Sequence, residues 1–90
     1  MHSKEATIQN ATGFHIRPAQ LFTEKATAFQ STVTLKVNGT GAEVDGKSIL
    51  GLMALGLEEG AVVTIEADGS DEEQAVEELA VLVESGFGEA

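Results

Sequence analysis

Apolar residues in this chain recur at every second position, then at threes and fours, and the period keeps switching within a few residues. This interleaving of strand-length and helix-length segments constrains the fold more than any other feature. Glu5-Ala6-Thr7-Ile8-Gln9 alternates and predicts a first strand, and Asn10-Ala11-Thr12-Gly13 follows as a turn. Ile16, Ala19, Phe22, Ala26 and Phe29 then mark one face of a helix over roughly 16–28. Pro18 falls in its first turn, where a missing N–H breaks no intrahelical bond. Thr32–Val37 alternates with strong β-formers, Asn38-Gly39 is a hairpin pair, and Ala42-Glu43-Val44 is the short return.

A second helix is expected over Ser48–Leu55, capped by Ser48 and ended by Gly56 in the left-handed region, although Gly51 weakens it. After the turn Glu58-Glu59-Gly60, Val62–Ala67 reads as a fourth strand, central in the sheet. Ser70 with Glu73 three residues on predicts a capping box. The helix it opens has Ala75, Val76, Leu79, Leu82 and Val83 on its apolar face, and Gly86–Ala90 reads as a frayed tail. The order is β-α-β-β-α-β-α. Its economical solution is an α+β domain, residues 1–90, with an antiparallel sheet covered by helices on one face.

Ninety residues without cysteine must hold together by one core, which the 42% apolar content supplies. Disulfides, thiol nucleophiles and cysteine zinc sites are excluded. No apolar run reaches membrane-spanning length, and the start is too polar for a signal peptide, so a cytoplasmic, uninserted protein is expected. Residues 1–45 carry four Lys/Arg against four Asp/Glu, whereas residues 46–90 carry one lysine against eleven acids. That excess is expected to be a solvated face, and it argues against nucleic-acid binding.

The chemistry concentrates at His15-Ile16-Arg17-Pro18, the start of the first helix. First-turn amides suit an anion, Arg17 adds fixed N–H donors, and a neutral imidazole is nucleophilic near pH 7. Those are the parts needed to accept a phosphoryl group on nitrogen. The same residues also suit an ordinary capping histidine and a surface arginine. Elsewhere, His2 at the terminus is expected to be mobile and not a metal ligand. Phe22 and Phe29 read as core. Ile49, Leu50, Leu52, Met53 and Leu55 cannot all face inward on one short helix, so some form an exposed patch.

Thr12–Ala19, Lys47–Gly56 and Glu66–Glu73 together resemble the HPr family, the histidine-containing phosphocarriers of the bacterial phosphoenolpyruvate-dependent sugar phosphotransferase system. Similarity runs from about Thr7 to Val83. The resemblance implies an open-faced β-sandwich, four antiparallel strands under three helices. Together with connection rules it gives the strand order 1-4-2-3. It implies that His15 takes phosphate on Nδ1 from enzyme I and passes it to EIIA domains of sugar transporters. Arg17 would stabilise the phosphoryl oxygens and Thr12 would stand near them. Ser48 matches a serine phosphorylated in some members by an HPr kinase/phosphorylase. Docking is expected on Phe22, Lys47, Ile49, Leu50 and Met53, with no cofactor, no metal and a monomeric state. The segment 40–46 is about two residues longer than the common spacing, and the Gly-Phe-Gly ending is similar to the nitrogen-branch paralogue. A non-catalytic protein–protein or small-ligand module is the alternative.

Overall fold

The computed structural model describes residues 1–11, 13 and 15–88. Eight elements follow in order: β1 (His2–Thr7), α1 (Ile16–Thr27), β2 (Thr32–Val37), β3 (Glu43–Asp45), α2 (Ile49–Ala54), β4 (Val62–Asp68), α3 (Glu72–Glu84) and a short turn with left-handed backbone, Gly86–Gly88. The sheet is antiparallel throughout in the order β1-β4-β2-β3, as expected. The β3 return lies one residue later than the spacing predicts, at Glu43–Asp45.

Register explains which face is covered. Ala6, Val63 and Val37 stand in one row, and Ile65 and Leu35 stand side by side in the next with Lys4 beyond them. With a period of two, Val33, Leu35, Val63, Ile65 and Ala67 all point to one face and are buried there. Phe22 and Ala26 of α1, Leu52 of α2, and Ala75, Val76, Leu79 and Val83 of α3 complete that core. The opposite face is polar, where Lys36 pairs with Glu66 and Asn38 links Glu5 to Thr64.

β1 begins earlier than the alternation predicts, at His2 rather than Glu5. His2 and Lys4 occupy core-side positions that an apolar pattern would leave out. They are satisfied at the rim by α3: His2 Nδ1 lies 2.6 Å from Glu72, and Lys4 Nζ lies 2.9 Å from Glu77. His2 is therefore a paired strand residue opposite Ala67, not a mobile end.

Two other expectations fail for identifiable reasons. The Ser70–Glu73 capping box does not form. Helix α3 starts one residue later, with Asp71 at the N-cap, and the reach-back contact runs from the Gly69 N–H to Glu72 at 3.1 Å. Asp71 faces away from its own helix and accepts from the N–H groups of Gln30 and Ser31 and from the Ser31 hydroxyl. That ties α3 to the loop after α1 and holds the Asp71 carboxyl below its ordinary value, the Ser31 bond being the largest cause. The Gly86–Gly88 segment is not frayed. Phe87, at φ +56, turns its ring into the core, and of that tail Glu89 and Ala90 lie outside the described residues.

Candidate functional site at the start of helix α1

Two strand-like contacts fix the chain before the site. Ile8 N–H donates to Ala61 at 2.8 Å, and Gly60 N–H donates back to Ile8 at 2.8 Å. Asn10 then folds the chain: Gly13 N–H donates to the Asn10 carbonyl at 3.1 Å, and Asn10 Nδ2 donates to the Gly13 carbonyl at 2.7 Å. Gly13 has φ +66, and a Cβ there would overlap the Leu57 carbonyl oxygen. Only glycine lets this turn press against the loop that leaves α2.

His15 is the N-cap residue of α1, with extended backbone and a carbonyl that accepts from Ala19 N–H at 3.1 Å. Its imidazole makes no capping bond to the helix, and the residue is exposed. Arg17 is exposed in the first turn, which holds no acidic residue. Pro18 and Ala19 are buried beneath it, anchoring the turn to the core. An exposed imidazole, a guanidinium and the positive end of a twelve-residue helix thus share one corner. Such a corner can receive a phosphoryl group and hold its oxygens. Thr12 lies outside the described residues.

Ile16 departs from its expected place. Its spacing matches the core face, yet it is 63% exposed, because the helix start projects past the residues that cover Ala19 and Phe22. It adds apolar surface beside His15 that periodicity alone assigns to the interior. Phe22, expected both in the core and on a docking surface, is 0% exposed and belongs to the core alone.

Helix α2 packs against α1 and β3. Ser48 caps it as expected, its Oγ accepting from Gly51 N–H at 3.0 Å, and Gly56 closes it at φ +62. Gly51 is an asset at that cap, since a Cβ would stand 3.2 Å from Ser48 Oγ. Leu52 is wholly buried, whereas Ile49, Leu50 and Met53 are exposed, Leu50 by 81%. The amphipathic split is therefore real. Lys47 is half-buried, with its ammonium donating to the Phe29 carbonyl at 3.0 Å. Lys47 thus ties the start of α2 to the end of α1, while Gly13, before α1, meets the loop after α2. The two helices run in opposite senses. Ser48 stands at the far end of α2 from the His15 loop, separated by ~9 Å of helix.

The acids gather on the other side. Glu72, Glu73, Glu77 and Glu78 lie on α3, facing His2, Lys4 and Lys25. The Met1 ammonium, then His2 and the Gly69 N–H, bring Glu72 down to about 2. Among the described residues no group of three or more His, Asp or Glu could hold a metal ion, and no helix is long and apolar enough to cross a membrane.

An open-faced α+β sandwich with a histidine and an arginine at one exposed helix start is an architecture shared with small phosphocarrier proteins. Residues 2–85 match the family model described as "PTS HPr component phosphorylation site". The phosphocarrier protein HPr of Haemophilus influenzae is 43% identical over 83 residues, covering 92% of this chain and 95% of that protein. The phosphocarrier protein NPr of Proteus mirabilis is 40% identical over 86 residues, covering 96% of this chain and 94% of that protein. The crystal structure of HPr-C-His from Thermoanaerobacter tengcongensis superposes with a TM-score of 0.92 at 42% identity, covering 100% of this chain and 99% of the other. The chain belongs to the HPr family of phosphocarrier proteins.

The sequence points to His15, Arg17 and Ser48, and the structure places His15 at the N-cap of α1, Arg17 exposed in its first turn and Ser48 at the N-cap of α2. Asn10 is read there only as a turn residue. The signal for more was its three-residue spacing from Gly13, which lets an asparagine side chain close the turn.

Proposed function

We propose that this protein is a stoichiometric phosphoryl carrier, a substrate of phosphotransferases rather than a turnover catalyst. His15 Nδ1 attacks the phosphoryl group of phosphorylated enzyme I. The new N–P bond forms as the bond to the donor atom breaks, and the electron pair returns to the donor. An EIIA domain of a sugar transporter then takes the group by the same exchange. Arg17 balances the charge on the phosphoryl oxygens, and the family resemblance makes Thr12 the candidate for a further hydroxyl contact. The observation that carries this reading is the exposed His15–Arg17 pair at a helix start free of acidic residues.

Exposed Ile49, Leu50 and Met53, on the helix packed against α1, supply the docking surface for both partners. A carrier that meets donor and acceptor through one imidazole needs one shared face and short-lived contacts. Ser48 is a candidate for regulatory phosphorylation by an HPr kinase/phosphorylase. A phosphate there adds ~1.5–2 negative charges beside apolar side chains that a partner must desolvate. The protein works as a cytoplasmic monomer in this account.

The identity to NPr supports a second reading, service in the nitrogen branch rather than in sugar uptake. The test is a relay. Protein phosphorylated by enzyme I is purified and mixed with sugar-branch EIIA or with its nitrogen-branch counterpart. Transfer of labelled phosphate to sugar EIIA supports the first reading, and transfer only to the nitrogen-branch protein selects the second. No uptake of label from either branch's enzyme I leaves a non-catalytic interaction module.

A further inference from the structure

Asn10 is an amide side chain with almost no contact with solvent, 1% exposed. Its neighbours Gln9 and Ala11 are exposed. A buried amide N–H is kept where it finds an acceptor. Here Nδ2 donates to the Gly13 carbonyl at 2.7 Å, while Gly13 N–H donates to the Asn10 carbonyl at 3.1 Å. The turn is closed twice, once through the backbone and once through the side chain.

That double closure sits between two fixed points. On one side Ile8 is paired in both directions with residues 60–61. On the other, Gly13 is seated against the Leu57 carbonyl too closely for any other residue. The Gly13 carbonyl belongs to the peptide plane that leads toward His15, two residues on. Peptide planarity means that fixing the carbonyl direction fixes the plane. The His15 backbone is held from the other side by its bond from Ala19.

We propose that Asn10 is a positioning residue for phosphoryl transfer: its carboxamide fixes the Gly13 carbonyl and so the direction in which His15 presents its imidazole. This rests on His15 being the phosphoryl acceptor. Asparagine suits the task better than aspartate. An aspartate would set an acceptor against the Gly13 carbonyl and bring a buried negative charge toward an arriving phosphoryl group. Serine, a smaller donor, can keep part of the bond.

Asn10→Ala, Asn10→Ser and wild type are compared by steady-state phosphorylation with enzyme I and phosphoenolpyruvate. The His15 ring nitrogen shifts are read separately by NMR on unphosphorylated, isotopically labelled protein. Misorientation of a reacting group lowers the chemical step by on the order of 10–100-fold. Asn10→Ala is therefore expected to lower kcat by that factor with KM nearly unchanged, since the docking residues are untouched. Its His15 nitrogen shifts should move, and Asn10→Ser should recover part of both effects. A merely structural role would lower the melting temperature and leave the kcat and ring shifts of the folded protein alone, which overturns the proposal. Should Asn10→Ala not fold, Asn10→Ser decides alone: wild-type kcat and shifts in it overturn the inference. Acid-labile phosphate persisting in His15→Ala would instead overturn the acceptor reading, so the two failures are distinguishable.

Discussion

Leu50 and Leu52 stand two residues apart in a six-residue helix and should respond to truncation in opposite ways. Leu52 is 0% exposed and packs into the single core, whereas Leu50 is 81% exposed. Leu52→Ala removes buried methyl groups and leaves a cavity, which costs ~2–5 kcal/mol. A 90-residue domain has a total stability of roughly 4–14 kcal/mol. A loss of about 3 kcal/mol should therefore lower Tm by roughly 12–24 °C at ~4–8 °C per kcal/mol. Leu50→Ala loses no burial and gains slightly in helix propensity, so its stability should stay within ~0.5 kcal/mol of wild type. Binding should show the reverse. Enzyme I titrated into labelled protein, followed by backbone amide shifts, should give a weaker Kd for Leu50→Ala. Leu52→Ala, measured well below its Tm, should bind nearly as wild type. Urea unfolding supplies the stability arm. Equal stability losses for the two variants would refute the split assigned to α2. An unchanged Kd for Leu50→Ala, or shifts concentrated on 71–84 with 15–24 and 47–56 silent, would refute the docking face.

Arg17→Ala should slow phosphoryl transfer at least about tenfold, since a charge-assisted phosphate contact is worth ~1.5–3 kcal/mol, while Tm stays nearly constant. Equal rates would remove Arg17 from the site. Ser48→Ala should cost ~1 kcal/mol through the lost cap, whereas Ser48→Asp keeps a cap and weakens enzyme I binding. Urea midpoints and titrations on both variants separate the capping role from the charge effect. Asp71→Asn should lower stability at pH 7 and converge on wild type in acid. The folded Asp71 carboxyl lies below its ordinary 3.8, so its contribution is complete above that value and fades as pH falls through the lower folded one. A gap between the two proteins that stays constant from pH 7 to pH 2 would contradict the tie to Ser31.

Strand and helix periods, the Ser48 cap and the glycine stop at Gly56 were legible because each is a local signal over a few residues. What stayed hidden depends on distant partners. The first three residues of β1 look polar, and only the carboxylates of Glu72 and Glu77, some seventy positions away, explain His2 and Lys4 on the covered side. Asp71 resembles a first-turn acid, but its hydrogen bonds go to Gln30 and Ser31. Phe87 lies between two glycines, a tail by composition, and is recruited by the core. Ile16 fits the helical stripe but lies past the end of what the stripe covers. At the site, the place of His15 and Arg17 at a helix start could be read from residue type and spacing, and the role expected of them came only with the family resemblance. The buried amide of Asn10 could not be read, because burial of one turn residue is a property of the packed loop.

Whether His15 is the phosphoryl acceptor can be read from intact mass. Wild type and His15→Ala are each incubated with enzyme I and phosphoenolpyruvate, weighed, and weighed again after brief acid treatment. One added phosphate is expected on the wild type, lost in acid, and none on His15→Ala, with both proteins giving the same circular-dichroism spectrum. An acid-labile phosphate on His15→Ala, or none on wild type in the presence of active enzyme I, would contradict His15 as the acceptor.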